Sequence, residues 1–189
     1  MVDREADILY SSGGTLLIGL LSDTHISYPS QTLPPQIKDA LSGVDLILHA
    51  GDIWIPSVLD ELESIAPVKA AWGDDDLEED LGGDSRMMKG HSLLLDGVTL
   101  WLAHVKPRYG LINPNQKSYF SRPGPQYTGD LPDVVVFGHT HVAAIEHYKD
   151  VLLVNPGSPT FPKYEVKLGT VGLLTISSGE VEARIVQLE

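Results

Sequence analysis

Cysteine is absent from these 189 residues. That excludes disulfides, thiolate metal sites and a cysteine nucleophile, and it is compatible with a reducing compartment. Basic residues are scarce: 13 Lys and Arg stand against 26 Asp and Glu, a net charge of -13. Such an excess repels nucleic-acid backbones and anionic lipid surfaces, so neither a nucleic-acid duplex nor a membrane is an expected partner. Long apolar runs are missing too. The longest early one, residues 16–21, is far too short to span a bilayer. Residues 1–14 carry Asp3, Glu5 and Asp7 and lack the basic-then-apolar pattern of a secretory signal. A soluble cytoplasmic protein is the expectation. There is no P-loop, dinucleotide fingerprint or nucleophile elbow, and no internal repeat or low-complexity linker.

What is present is enough for one core. With 42% hydrophobic residues, a single domain over 15–189 is expected, preceded by an N-terminal extension over 1–14. Residues 15–22 (TLLIGLLS), 44–50 (VDLILHA) and 68–72 read as buried strands, and 34–41 and 56–66 as helices opening on proline. This alternation predicts parallel strands in the first half. Asp96-Gly97, between apolar runs at 91–95 and 98–103, is a hairpin signal. Further hairpins are expected around Lys149-Asp150 and Ser178-Gly179, making the second half mostly antiparallel. The fold class is thus α/β (α+β), two mixed sheets packed as a sandwich with helices outside. A Pro- and Gly-bearing segment over 106–130, with Tyr109, Tyr119, Phe120 and Tyr127, reads as a loop over the site, its aromatics serving as anchors.

Chemistry gathers at the strand ends. The run Val134, Val135, Val136 and Phe137 reads as a strand buried on both faces, ended by Gly138 and followed by His139 and His141. Asp23 and His25 follow the first strand, Asp52 the second, Asp74 the third, and His104 the strand over 98–103. One aspartate after a strand is usually a cap or turn residue, and one histidine is usually satisfied and half-buried. Seven such residues at five strand ends are hard to explain as independent caps. Ligand sites collect in the crevice beyond the carboxyl ends of strands. Three carboxylates placed there call for positive charge between them. Mixed carboxylate and imidazole donors suit divalent Mn, Fe or Zn, with Ni also admissible and Mn favoured.

In order, these motifs resemble the calcineurin-like metallophosphoesterases: Asp-x-His, Gly-Asp, Gly-Asn-x-Asp, a lone His, then Gly-His-x-His. The likeness is greatest to the short bacterial and archaeal phosphodiesterase-type members, which also carry Asn-Pro-Gly-Ser, here residues 155–158. The resemblance implies two divalent ions, one held by Asp23, His25, Asp52 and His141, the other by Asp52, Asp74, His104 and His139. It also implies hydrolysis of a small phosphoester, a diester in preference to a monoester, by water activated between the ions, and it leaves room for a homo-oligomer. Arg108, Lys163 and Asn155 are the candidate substrate contacts. Three positions depart from the pattern. Asp74 stands where the family usually has Asn, Asp75 where it usually has His or, in the short members, Cys, and Val105 where it usually has Gly after the lone His. The retromer scaffold subunit related to this family shares the Asp, and there the fold serves protein binding. A catalytically weak protein-binding scaffold is therefore the alternative reading.

Overall fold

Among the described residues, short leucine- and valine-rich runs build twelve strands: β1 (Asp7–Tyr10), β2 (Leu16–Leu21), β3 (Leu46–His49), β4 (Val68–Ala71), β5 (Met87–Met88), β6 (His91–Leu95), β7 (Val98–Leu102), β8 (Val134–Val136), β9 (Ala144–Tyr148), β10 (Val151–Asn155), β11 (Thr170–Ser177) and β12 (Glu180–Gln187). The computed structural model describes residues 14–28, 30–107 and 131–189, together with the backbone of 7–10. One sheet runs β1-β6-β7-β8-β10-β9 and the other β12-β11-β2-β3-β4-β5. The described residues also form three short α-helices, α1 (Pro35–Ala40), α2 (Pro56–Glu63) and α3 (Glu78–Leu81), and a 3-10 turn at Pro162–Tyr164. Pro35 and Pro56 open the first two, at positions whose N–H groups need no helical partner.

Side-chain alternation explains the layering. Ile18, Leu20, Leu46, Leu48, Leu100, Leu102, Val134, Val136, Val154 and Leu174 belong to one buried cluster drawn from both sheets. The other face of β3 and β4 packs Ile47, Val68 and Ala70 with Ile37 of α1 and Val58, Leu59 and Leu62 of α2. Val135 and Phe137 instead join Trp101, Val151 and Leu153 in a third cluster. Residues 134–137 are accordingly buried on both faces.

The hairpin at Asp96-Gly97 forms as expected, with φ of 47° and 82° at its two central residues and antiparallel β6 and β7 on either side. The expectation of a mostly antiparallel second half holds for β6-β7, β9-β10 and β11-β12, with β8 as the exception. β8 pairs in parallel with both β7 and β10. A strand reached through a long connection can enter parallel to its neighbour, which a tight hairpin forbids. Two short strands carry no clear signal in the chain: β5, at the edge beside β4, and β1, which pairs in parallel with β6. Arg108 and residues 109–130 of the expected covering loop lie outside the described residues. Among the described residues, no helix is long and apolar enough to cross a membrane.

Candidate metal centre

Three strands of the β2-β3-β4 layer and two of the opposite sheet end at one place. There Asp23, His25, Asp52 and His141 each offer a donor atom, all within 4.8 Å of one another. Asp74, His104 and His139 form a second group by the same measure. All seven residues singled out in the sequence are therefore brought together.

The loops that deliver them are wound tightly. Asp23, His25, Asp52, Trp54, His139 and His141 all have positive φ, between 45° and 80°. Left-handed backbone at a non-glycine residue costs about 1–2 kcal/mol each and persists only where surrounding contacts hold it. Those contacts are visible: Asp23 N–H donates to the Gly51 carbonyl at 2.9 Å, and His25 N–H to the Asp52 carbonyl at 3.1 Å. Gly138 permits the crossing of β8 past β2, because a Cβ there would sit 1.7 Å from Ser22 Oγ.

Tautomers follow from the hydrogen bonds. His104 donates its Nδ1–H to the Ala50 carbonyl at 2.7 Å, and His141 donates its own to Phe161 O at 2.8 Å. Both rings thus turn Nε2 inward. His25 Nε2 and His141 Nε2 are 3.1 Å apart. Asp52 Oδ2 is 3.5 Å from His25 Nε2, and Asp23 Oδ1 is 3.6 Å from His141 Nε2. In the second group Asp74 Oδ1 lies 2.7 Å from His104 Nε2 and 2.9 Å from His139 Nδ1. Donors about 2.1 Å from one ion stand about 3.0–3.4 Å apart in octahedral or tetrahedral arrangements. The measured edges fall close to that range. The donor set fits divalent cations.

Asp52 also reaches the second group, its Oδ2 lying 3.3 Å from His104 Nε2. It stands between the two sets.

Electrostatics point the same way. Asp23 is fully buried, and that burial raises its pKa. Burial opposes ionised Asp52 as well, but the His104 imidazole beside it and the Asp75 N–H hold its pKa below the ordinary value. The His104 hydrogen bond keeps Asp74 well below the usual carboxylate range. His104 itself is disfavoured as a cation by burial, yet Asp52 and Asp74 push it up to about 10. Among the described residues these three carboxylates have only imidazoles as ionic partners. Without metal, the buried His104 imidazolium would face both Asp52 and Asp74.

Asp75 has an exposed side chain and gives its N–H to Asp52 Oδ1 at 3.0 Å. Asn155 was expected as a substrate contact. It is instead fully buried, giving its amide to Gly138 O and Thr140 Oγ1 and accepting from Gly157 N–H. It braces the histidine loop. Lys163 is exposed, and its N–H reaches His141 O at 3.4 Å.

Three supports were not read from the sequence. Asp76 is buried and accepts N–H bonds from Asp52, Ile53, Trp54 and Gly73 at 2.6–3.0 Å. Burial nevertheless raises its pKa. The last Asp of the Gly-Asn-x-Asp pattern was the available signal for it. His49 accepts Gly51 N–H at Nδ1, so its Nε2–H faces Thr24 Oγ1, whose hydroxyl reaches the Asp52 carbonyl. Complete burial draws its pKa down to about 3. Ser158 Oγ donates to Asp23 O at 2.7 Å, which gives the Asn-Pro-Gly-Ser stretch a bracing role.

Residues 16–179 match the model of the calcineurin-like phosphoesterase superfamily domain. A probable metallophosphoesterase of Methanothermobacter thermautotrophicus is 34% identical over 91% of this chain and 92% of its own length. A phosphodiesterase of Methanocaldococcus jannaschii is 27% identical over 86% of this chain and 95% of its own. Among solved structures, Vacuolar Protein Sorting 29 from Cryptosporidium parvum superposes with a TM-score of 0.64 at 17% identity, covering 93% of this chain and 99% of that one. At that identity the likeness is one of fold.

Proposed function

Since the chain belongs to the calcineurin-like phosphoesterase superfamily, we propose that it hydrolyses phosphodiesters at a dinuclear metal centre. The observation that carries this reading is the position of Asp52, whose Oδ2 lies 3.5 Å from His25 Nε2 in one donor group and 3.3 Å from His104 Nε2 in the other. Asp23, His25, Asp52 and His141 would hold one ion, and Asp52, Asp74, His104 and His139 the second. Divalent ions there would supply Lewis-acid polarisation of the phosphoryl group and lower the pKa of an attacking water.

The chain's own work is positional. Asp52 sets the spacing between the two groups, and Asp76 fixes Asp52 by receiving its backbone N–H. Ala50 and Phe161 hold the His104 and His141 rings with Nε2 inward. Asp74 and His139 stand at the open side, with side chains 56% and 39% exposed, where a phosphoester can approach. Asp75 supplies a carboxylate where the family pattern has an imidazole or thiol, so leaving groups that depart without a proton are favoured. Mn is the preferred ion for this donor set.

The phosphodiesterase name of one archaeal relative supports the diester preference. A scaffold role without chemistry is disfavoured by the complete set of seven donors. The test is metal analysis of the purified protein together with hydrolysis of a generic aryl phosphodiester in Mn. About two ions per chain and turnover lost on Asp52→Asn are expected. A chain that binds no metal and hydrolyses nothing would overturn the reading.

A further inference from the structure

His25 belongs to two features at once. It is a donor of the first group, and it lines a groove of about 620 Å³ beside the centre. Three parts of the chain build that groove: residues 24–27 with Ile26 and 31–34 with Thr32, Trp54 after β3, and residues 160–161 and 166–168 with Phe161, Val166 and Leu168. Trp54 meets the His25 ring edge-on at 4.8 Å, and Phe161 does so at 5.9 Å. The aromatic walls therefore begin where the metal donors begin. The volume is that of a small-molecule site, which usually spans about 300–1,000 Å³.

The lining has little charge to offer. Beyond His25 its one ionic side chain among the described residues is Lys167, which is paired with Glu165. The other polar contributors are hydroxyls, one amide and the Trp54 indole N–H. Such a surface does not recognise phosphate; it suits an uncharged group with a flat apolar face, which Trp54 and Phe161 can contact edge-on or offset. Resting on the phosphoesterase reading, we propose that this groove binds the organic part of the phosphoester, and that this part carries an aromatic ring. The phosphoryl group sits at the metal centre while the ring lies along Trp54 and Phe161. The groove thereby sets substrate class.

Phenylphosphonate and methylphosphonate, whose P–C bonds resist hydrolysis, separate the two contributions. Each is titrated into the 189-residue chain loaded with Zn, following labelled Ile, Val and Leu methyl groups by NMR. Phenylphosphonate should bind about tenfold or more tightly than methylphosphonate, the increment expected for burying one ring. It should also shift the methyls of Ile26, Val166 and Leu168, which methylphosphonate leaves in place. Thr32→Trp, which fills the groove, should cut the preference to less than about threefold on that scale. Val166→Trp, at a residue 90% exposed, serves as the second variant should the first not fold. Equal affinities, binding of neither compound, or shifts confined to methyls elsewhere overturn the proposal. Hydrolysis of a diphenyl phosphodiester is measured alongside. Groove shifts without hydrolysis sink the phosphoesterase reading and keep the groove; hydrolysis without groove shifts sinks the groove alone.

Discussion

His104 gives its Nδ1–H to the Ala50 carbonyl at 2.7 Å, so the same backbone that ends β3 decides which nitrogen faces the centre. Nε2 then lies 2.7 Å from Asp74 Oδ1. Two lone pairs cannot rest at that distance without a proton or a cation between them.

The first prediction follows from this geometry. In the metal-free protein the carboxylates hold His104 protonated, with a pKa of about 10. Its folded pKa is above the unfolded value, so the stabilisation is complete below about pH 6.5 and disappears as pH rises through about 10. Metal requires the neutral ring, so at pH 8 binding should release close to one proton from this group. Calorimetric titration in buffers of different ionisation enthalpy measures the release. If His104→Gln releases as many protons as the wild type, the assignment is wrong.

Asp52 and His25 should separate the two donor groups. Asp52→Asn should weaken both sites, whereas His25→Ala should lower stoichiometry from about two ions to about one, counting the two-ion centre proposed above. Elemental analysis after gel filtration decides it. Equal losses from both variants would contradict a shared Asp52.

Asp76 should behave as a structural keystone without touching substrate. Four backbone N–H groups converge on its carboxylate. Asp76→Asn presents an NH2 to some of those donors and strands them. The expected cost is roughly 2–4 kcal/mol in denaturant unfolding, with weakened metal binding in the folded fraction. Unchanged stability would refute this role.

His49 should shape the acid limb of stability. Its folded pKa, about 3 through burial, is below the ordinary value near 6.5. Between these values the unfolded chain binds a proton that the native one does not, so stability falls as pH drops through that window. The slope from this group approaches about 1.4 kcal/mol per pH unit. His49→Gln should flatten the curve between pH 4 and 6. A variant curve parallel to the wild type would rule the group out.

Asp74 and Asp75 should limit turnover. A carboxylate at position 74 neutralises the neighbouring cation more fully than Asn and repels an incoming phosphate at close range. Position 75 lacks an imidazole to protonate a departing alkoxide. Activated aryl diesters should therefore be hydrolysed faster than alkyl monoesters. Asp74→Asn combined with Asp75→His should raise kcat on monoesters. A wild type already fast on alkyl monoesters, or a double variant that is no faster, would count against this account.

The apolar runs, their alternation and the donor residue types at their ends are legible in the chain alone. Those signals are local: a strand shows its period within a few residues, and Gly138, His139 and His141 follow β8 directly. The parallel entry of β8, the tautomers of His104 and His141, and the bracing roles of Asp76, His49 and Asn155 depend on contacts between distant segments. Asp76 meets Asp52 and its neighbours across 22–24 residues, and His104 meets Ala50 across 54. A buried polar group takes whichever partner the fold brings within reach, and that partner leaves no periodic trace in the chain. Asn155 reads as a substrate contact by its chemistry and becomes a loop brace by its complete burial.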